Sequence, residues 1–384
     1  MRRFPECMAV VFVFFGFIFL HHMYERVIEK GVFSIFDNMQ VDSLQCLSNK
    51  NRIHFHAPDF YRVSEKTSLR LIVAYMRGGS TLLADVVRQA EGDFYMFEPL
   101  HGISQTLGNT TQFLNGTKRV ILRGERESLY PELLYHWFTC NFDQIDLSAL
   151  TDPFISIHTP ELQEYYKCTV LNLNKSKSTI DSVKRCVYLL HNRCMTARSR
   201  TIKTIRLSMF MAGKLLKWLP NLRIIYLVRD PRGILNSQFE QHVTEEKRMF
   251  TTVKKVCNSI ISDLSHTKEL QLCHKSRIMS IIYENLCQYP FKVVPKIYSF
   301  LNKEFTNTTK KYIKRIMNGP VKKCHYCTDR GNALGNAYRW IRAMEEKTLI
   351  IIDLYCSFLF PLLGYKHLNY DELNTTFVSW MPFE

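Results

Sequence analysis

No internal repeat and no long low-complexity tract occurs in the 384 residues, which excludes a repeat architecture. Acidic side chains are scarce: 35 Asp and Glu face 51 Lys and Arg, a formal net charge of +16. That deficit implies an anionic partner, whether nucleic acid, a membrane surface, or a charged small molecule or polymer. The glycine loop in "LRLIVAYMRGGSTLLADVVRQA", residues 69–90, lacks a lysine before its hydroxyl residues. This excludes the nucleotide-triphosphatase loop G-x-x-x-x-G-K-[ST] and disfavours a nucleotide kinase. A second metal-spaced cysteine pair is also missing. Cys324 and Cys327 form a lone C-x-x-C, read as a structural disulfide and not as a zinc site or a redox motif. Small residues are absent after the N-terminal apolar run, where "HHMYERV" stands in place of a cleavage site.

What is present bounds the rest. Apolar residues make up 46% and aromatics 13%, enough for a sizeable core in one large or two small domains. Arg2 and Arg3 precede "CMAVVFVFFGFIFL", and the run extends without a fixed charge to Tyr24. It is short against the ~20 residues that span an average bilayer. Arginines before it and no cleavage site after it predict a signal anchor, with the body in the lumen. Five N-x-[ST] sequons, at Asn109, Asn115, Asn174, Asn307 and Asn374, are consistent with that side. So are the eleven of the twelve cysteines that lie beyond the anchor, which are expected largely to pair in an oxidising compartment. Cys186 and Cys194 are expected to staple one loop. A lumenal body argues against nucleic acid as the anionic partner. The expected organisation is a cytosolic tail 1–6, a transmembrane anchor 7–24, a stem 25–66 and a globular domain 67–384.

The globular part alternates. Strands are predicted at 69–75, "FYMF", "RTIKTIRL", "LRIIYLV" and "SRIMSIIY". Helices are predicted at 80–90, through "SMFMAGKLLKWL", and around 290–301. "LSALTDPF" reads as irregular. Strands alternating with helices predict an α/β fold with a parallel sheet, with ligands beyond the carboxyl ends of its strands.

Two such strand ends have anion-binding chemistry. At Arg77-Gly78-Gly79-Ser80-Thr81-Leu82, glycines let backbone N–H groups approach an anion. Ser80 or Thr81 is expected to cap the helix, whose N-terminus favours negative charge. Arg77 adds a bidentate fork. In "RIIYLVRDPRGILNSQ", Arg229 ends a strand, Asp230 is a natural N-cap and Pro231 suits the first helical position. Gly233 and Ser237 then share a helical face. Each loop alone is equally readable as a capped helix; together they suit a ligand with phosphates at two ends.

"RGGSTL", then "FEPLHGI", "IKTIRL" and "LVRDPRGILNSQ" resemble the Golgi carbohydrate 6-O-sulfotransferases of galactose, N-acetylglucosamine or N-acetylgalactosamine. The similarity runs in order over residues 69–365, including "YENL" and "NALGNAYRW", and is greatest to the keratan-sulfate galactose 6-sulfotransferase branch. The resemblance implies the sulfotransferase fold, a P-loop-like central parallel sheet flanked by helices, preceded by one N-terminal transmembrane helix in the Golgi membrane. It implies the donor 3′-phosphoadenosine 5′-phosphosulfate, no metal, and a glycan or proteoglycan acceptor; a homo-oligomer is compatible with it. By the same resemblance Arg77, Gly78, Gly79, Ser80, Thr81, Leu82 and Leu83 hold the 5′-phosphosulfate. Arg229, Asp230, Pro231, Arg232, Gly233, Ile234, Leu235, Asn236 and Ser237 hold the 3′-phosphate. Two departures stand out. Gly78 occupies a position where the family has serine or threonine, and Asn285 one where it has aspartate, so "YENL" is expected to be structural.

For the chemistry, an in-line sulfuryl transfer needs positioning, charge stabilisation and a proton acceptor. Glu98 is the expected base, with Pro99 biasing it to an extended conformation. His101 is the alternative base. Lys203 is expected at the transferred sulfuryl group together with Arg77, and Arg206 at the acceptor. The competing reading is a lumenal glycan-binding protein on an inactivated scaffold, favoured by Gly78 alone.

Overall fold

In the computed structural model, residues 67–89, 92–176, 178–243, 245–319 and 331–368 are described. The expected tail, anchor and stem lie outside them, as do Cys324, Cys327 and Asn374. Among the described residues no helix is long and apolar enough to cross a membrane.

Among the described residues there are seven strands: β1 (Ser68–Ala74), β2 (Asp93–Phe97), β3 (Thr110–Gln112), β4 (Lys118–Val120), β5 (Ser199–Thr204), β6 (Leu222–Val228) and β7 (Ile278–Ile282). Five of them form one sheet in the order β2-β5-β1-β6-β7, and every pairing is parallel. β3 and β4 make a separate antiparallel ribbon. The apolar runs are long because a parallel sheet is covered on both faces. All but the first residue of β1 and every residue of β5 are buried. Leu71, Ile72, Leu83, Phe94, Met96, Ile202, Ile224 and Leu227 are among the core side chains.

A buried polar cluster lies at the amino ends of three strands. Arg70 Nη1 donates to Ser199 Oγ at 3.0 Å and lies 3.4 Å from Asp93 Oδ2. Ser199 Oγ and Thr201 Oγ1 donate to the same carboxylate at 2.9 and 3.0 Å. Arg70 is on β1, Asp93 on β2, and Ser199 and Thr201 on β5. The set comes together only when β5 lies between the other two.

Helices follow the strands: α1 (Ser80–Val87), α2 (Thr179–Thr196), α3 (Met209–Trp218), α4 (Pro231–Glu240), α5 (Met249–His274) and α6 (Tyr283–Gln288). The stretch read as irregular instead forms two short helices, Leu147–Leu150 and Pro153–His158. Each starts at an aspartate whose side chain accepts a backbone N–H: Asp146 from Ala149, and Asp152 from Phe154.

The expected Cys186–Cys194 staple does not form, although the described cysteines do largely pair. Cys186 and Cys194 both lie on α2, eight residues apart, which is about 12 Å of helical rise and beyond disulfide reach. Cys140 pairs with Cys194, Cys168 with Cys186, and Cys257 with Cys356. Cys287 is a buried free thiol. Four of the sequon asparagines, Asn109, Asn115, Asn174 and Asn307, are exposed.

Candidate active site

The carboxyl ends of β2, β5, β1 and β6 open on one cavity of about 380 Å³. Its position follows from topology. After β1 the chain steps outward to β2, returns through β5, then crosses to β6 on the other side of β1. Such a reversal leaves a crevice at the strand ends. Among the described residues, Arg77, Lys203, Arg206, Arg229 and Arg339 line it, against a single carboxylate, Glu98. The surplus of fixed cations suits a polyanion.

The β1 loop turns tightly. Gly78 N donates to the Tyr75 carbonyl at 2.8 Å. A Cβ on Gly78 would lie 2.9 Å from that same carbonyl oxygen, so glycine here follows from the turn and does not by itself mark a lost site. Gly79, not Ser80 or Thr81, is the N-cap of α1, with φ +88° and no side-chain cap. A Cβ there would fall 2.2 Å from the Tyr283 ring, so only glycine fits against that ring. Ser80 is the first helical residue. The amides of the first turn have no partners within the helix, and Ser80, Thr81 and Leu82 line the strand-end cavity. Arg77 takes φ +65° and donates from Nε to Ser237 Oγ at 2.9 Å.

The β6 element is built as its sequence indicates. Asp230 Oδ1 accepts from Arg232 N at 2.9 Å, and Pro231 opens α4. Arg229 is buried, with its guanidinium 4.7 Å over the Tyr283 ring. Nη1 donates to the Arg77 carbonyl at 2.8 Å and Nη2 to the Ala337 carbonyl at 3.2 Å. Nε has no hydrogen-bond partner; Glu284 Oε1 is 3.9 Å away. Gly233 lets this guanidinium lie against α4, since a Cβ would come within 3.1 Å of Nε. The two loops, read from sequence as separate anion sites, are therefore in direct contact. Of the nine residues expected at the 3′-phosphate, Arg229, Gly233, Asn236 and Ser237 line the cavity. Asp230, Pro231, Arg232, Ile234 and Leu235 do not line it; Arg232 is buried between Trp340 and Phe360 and paired with Asp230. In the first loop Gly78 and Leu83 do not line it, while Arg77, Gly79, Ser80, Thr81 and Leu82 do.

Glu98 and Lys203 are brought together as ion-pair partners. The Glu98 carboxylate is 1% exposed and engaged at both oxygens, by Lys203 Nζ at Oε1 and by Arg206 Nη1 at Oε2. Burial pushes the Lys203 amine below the usual lysine range, with Glu98 opposing the shift. Lys203 Nζ also sits 4.2 Å over the Phe97 ring. The expected extended conformation of Glu98 is not adopted: its φ is +50°, left-handed. Glu98 N still donates to the Lys203 carbonyl, but its own carbonyl accepts from His101 N, both at 2.8 Å. The two ion pairs and these two backbone bonds hold the turn against the preference that Pro99 sets.

His101 lines the same cavity. Its Nδ1 lies 2.6 Å from Asp152 Oδ2. Sequence reasoning missed Asp152, Phe154 and Tyr283. The Asp-Pro pair at 152–153 has the helix-start signature used to read Asp230-Pro231, and would have marked the first two. "YENL" is not merely structural: Tyr283 lines the cavity, while Glu284, fully buried beneath it, accepts from Tyr365 OH at 2.7 Å. Burial raises the Glu284 carboxyl to about 7, opposed by Arg229.

Residues 69–347 match the family described as sulfotransferase domain. The chain belongs to the sulfotransferase domain family. It is 27% identical over 346 residues to carbohydrate sulfotransferase 1 of Danio rerio, covering 81% of each chain. To carbohydrate sulfotransferase 1 of Homo sapiens it is 26% identical over 366 residues, covering 85% of this chain and 87% of that one. Among solved structures it is similar to mouse sulfotransferase SULT7A1 complexed with PAP. There the identity is 15% and the TM-score 0.39, over 80% of this chain and 85% of that chain. The sulfotransferase domain match spans both strand-end loops, Glu98 and Lys203. Among the described residues no group of His, Cys, Asp or Glu is arranged to hold a metal ion.

Proposed function

We propose that this chain transfers the sulfuryl group of 3′-phosphoadenosine 5′-phosphosulfate to a sugar hydroxyl, the 6-hydroxyl of galactose or of an N-acetylhexosamine in a glycan or proteoglycan chain. One observation carries the reading: a single strand-end cavity is lined by both anion loops and by the Glu98–Lys203 pair. Arg77, Gly79 and the first turn of α1 hold the 5′-phosphosulfate. Arg229 and Ser237 hold the 3′-phosphate. Lys203 faces the sulfuryl oxygens and steadies the charge that develops there. Glu98 fixes Lys203 and Arg206, and Glu98 or His101 takes the acceptor's proton. The similarity to carbohydrate sulfotransferases supports a sugar acceptor.

The compartment belongs to the same proposal. Residues 7–24 anchor the chain in the Golgi membrane, type II, with the sulfotransferase domain in the lumen. The exposed sequons, the disulfides and the basic surplus fit that side. Full-length protein then resists alkaline carbonate extraction, and its glycans are released by N-glycosidase. A secreted product beginning near residue 25 would contradict the anchor.

The decisive test is incubation of the full-length protein with labelled sulfate donor and a panel of galactose- and hexosamine-terminated acceptors. Label appearing on a sugar 6-position is the expected result. Glycan binding with no transfer to any acceptor would favour a binding protein on this scaffold.

A further inference from the structure

Two groups in the cavity are chemically able to take a proton from the acceptor hydroxyl, Glu98 and His101, and the structure treats them differently. Glu98 is closed in. Its side chain is buried, and each carboxylate oxygen already accepts from a cation, Lys203 on one side and Arg206 on the other. Protonating it would break both pairs, in a site where an unpaired buried charge is costly.

His101 is arranged in the opposite sense. The left-handed turn at Glu98 is closed by His101 N donating to the Glu98 carbonyl at 2.8 Å, and it brings the imidazole to the cavity. There the ring is 24% exposed at its side chain and packs at 4.5 Å on Phe154. Asp152 Oδ2 lies 2.6 Å from Nδ1. A carboxylate can only accept, so the Nδ1 proton points at Asp152 and the lone pair is left on Nε2. Asp152 is itself fixed, because its other oxygen accepts from Phe154 N at 2.9 Å at the start of the helix Pro153–His158. Other ionisable groups nearby are His158, stacked on Phe97 and tilted against Phe154, the Glu98–Lys203–Arg206 cluster, and Asp146 and Tyr166, both of which interact electrostatically with Asp152. A base, a carboxylate that sets its tautomer, and a packing surface that sets its plane are the parts of an oriented general base.

We infer that His101, oriented by Asp152, is the general base for the acceptor hydroxyl, and that Glu98 is a positioning residue for Lys203 and Arg206. This rests on the sulfuryl-transfer reading. In the step, the acceptor oxygen forms a bond to sulfur while its proton passes to His101 Nε2. The bond from sulfur to the bridging phosphate oxygen breaks, and its electron pair leaves on the adenosine bisphosphate product. The imidazolium is paired with Asp152 until it returns the proton to water.

The test uses full-length wild type, His101→Gln, Asp152→Asn and Glu98→Gln, measured for kcat and KM across pH and for affinity toward adenosine 3′,5′-bisphosphate. His101→Gln is expected to lower kcat by roughly 10²–10⁴-fold and to remove the acid limb of the kcat/KM profile, with product affinity unchanged. Asp152→Asn keeps the helix cap, since asparagine caps as well as aspartate. It offers Nδ1 no fixed acceptor for its proton, so it lowers kcat as well, which covers the case of a misfolded His101 variant. Glu98→Gln lowers activity and keeps the acid limb. If His101→Gln and Asp152→Asn both turn over near wild type, or if Glu98→Gln alone removes the limb, the base is Glu98 and the inference fails. A wild type that transfers to no acceptor while binding the bisphosphate would instead overturn the sulfuryl-transfer reading, and the base with it.

Discussion

Arg229 donates from Nη1 to the backbone carbonyl of Arg77 at 2.8 Å, across 152 positions of sequence. The side chain proposed for one phosphate thus fixes the backbone proposed for the other. Shortening Arg229 removes a charge-assisted contact and loosens the β1 loop as well. Arg229→Ala is expected to weaken adenosine 3′,5′-bisphosphate by about 1.5–3 kcal/mol, roughly 10- to 150-fold in Kd, measured by titration calorimetry. Ser237→Ala, which leaves Arg77 Nε without its 2.9 Å acceptor, is expected to cost less. Unchanged affinity in a folded Arg229→Ala protein would remove this element from the donor site.

Gly79 and Tyr283 meet face to face. A methyl group on Gly79 would sit 2.2 Å from the ring, on a backbone at φ +88° that non-glycine residues avoid. Gly79→Ala must displace Tyr283, on which Arg229 rests at 4.7 Å. The expected outcome is a stability loss of about 1–3 kcal/mol together with weaker bisphosphate binding. Thermal unfolding with and without the bisphosphate checks both at once. A variant that keeps the ligand-induced rise in Tm would contradict the coupling.

Glu284 gives the fold a pH slope. Its carboxyl is raised from 4.5 to about 7, first by burial. A raised folded-state value favours the protonated, neutral form in the folded protein. The stability from this group is therefore fully present below pH 4.5 and is lost as pH rises through about 7. Glu284→Gln is expected to flatten the Tm profile across that window, with the gain over wild type growing toward its upper end. A parallel profile in the variant would show that Arg229 compensates the charge fully.

The Cys140–Cys194 bridge closes a loop of 54 positions and fastens α2 to the end of the helix Arg126–Phe138. Replacing both cysteines with alanine is expected to cost about 2–4 kcal/mol, read from denaturant unfolding. Sulfotransferase activity at low temperature should survive, because neither cysteine lines the cavity.

Local grammar was legible in the sequence, and spatial order was not. β6 and α4 could be read almost residue by residue, because an apolar run, an aspartate cap and a proline at the first helical position each constrain the chain locally. Nothing local says that β5 inserts between β1 and β2, or that two loops 152 positions apart touch. Glu98 shows where a local rule is overruled. The proline after it favours extended backbone, yet two ion pairs and two backbone hydrogen bonds hold it left-handed. The Cys186–Cys194 staple failed for a related reason: nearness in sequence is distance in space along a helix such as α2.

The strand order has a consequence for how the chain is made. β1 is the middle of the sheet, and both of its neighbours, β5 and β6, come after residue 198. During synthesis Leu69–Ala74 is therefore a largely apolar ribbon with two open edges, waiting through everything between Ala74 and Ser199 for partners not yet translated. Asp93 waits too, its carboxylate without its two hydroxyl donors until Ser199 and Thr201 appear. A chain truncated ahead of β5 would possess β1 and β2 but no means of joining them, and would be a client for chaperones and degradation, not a smaller version of the same domain.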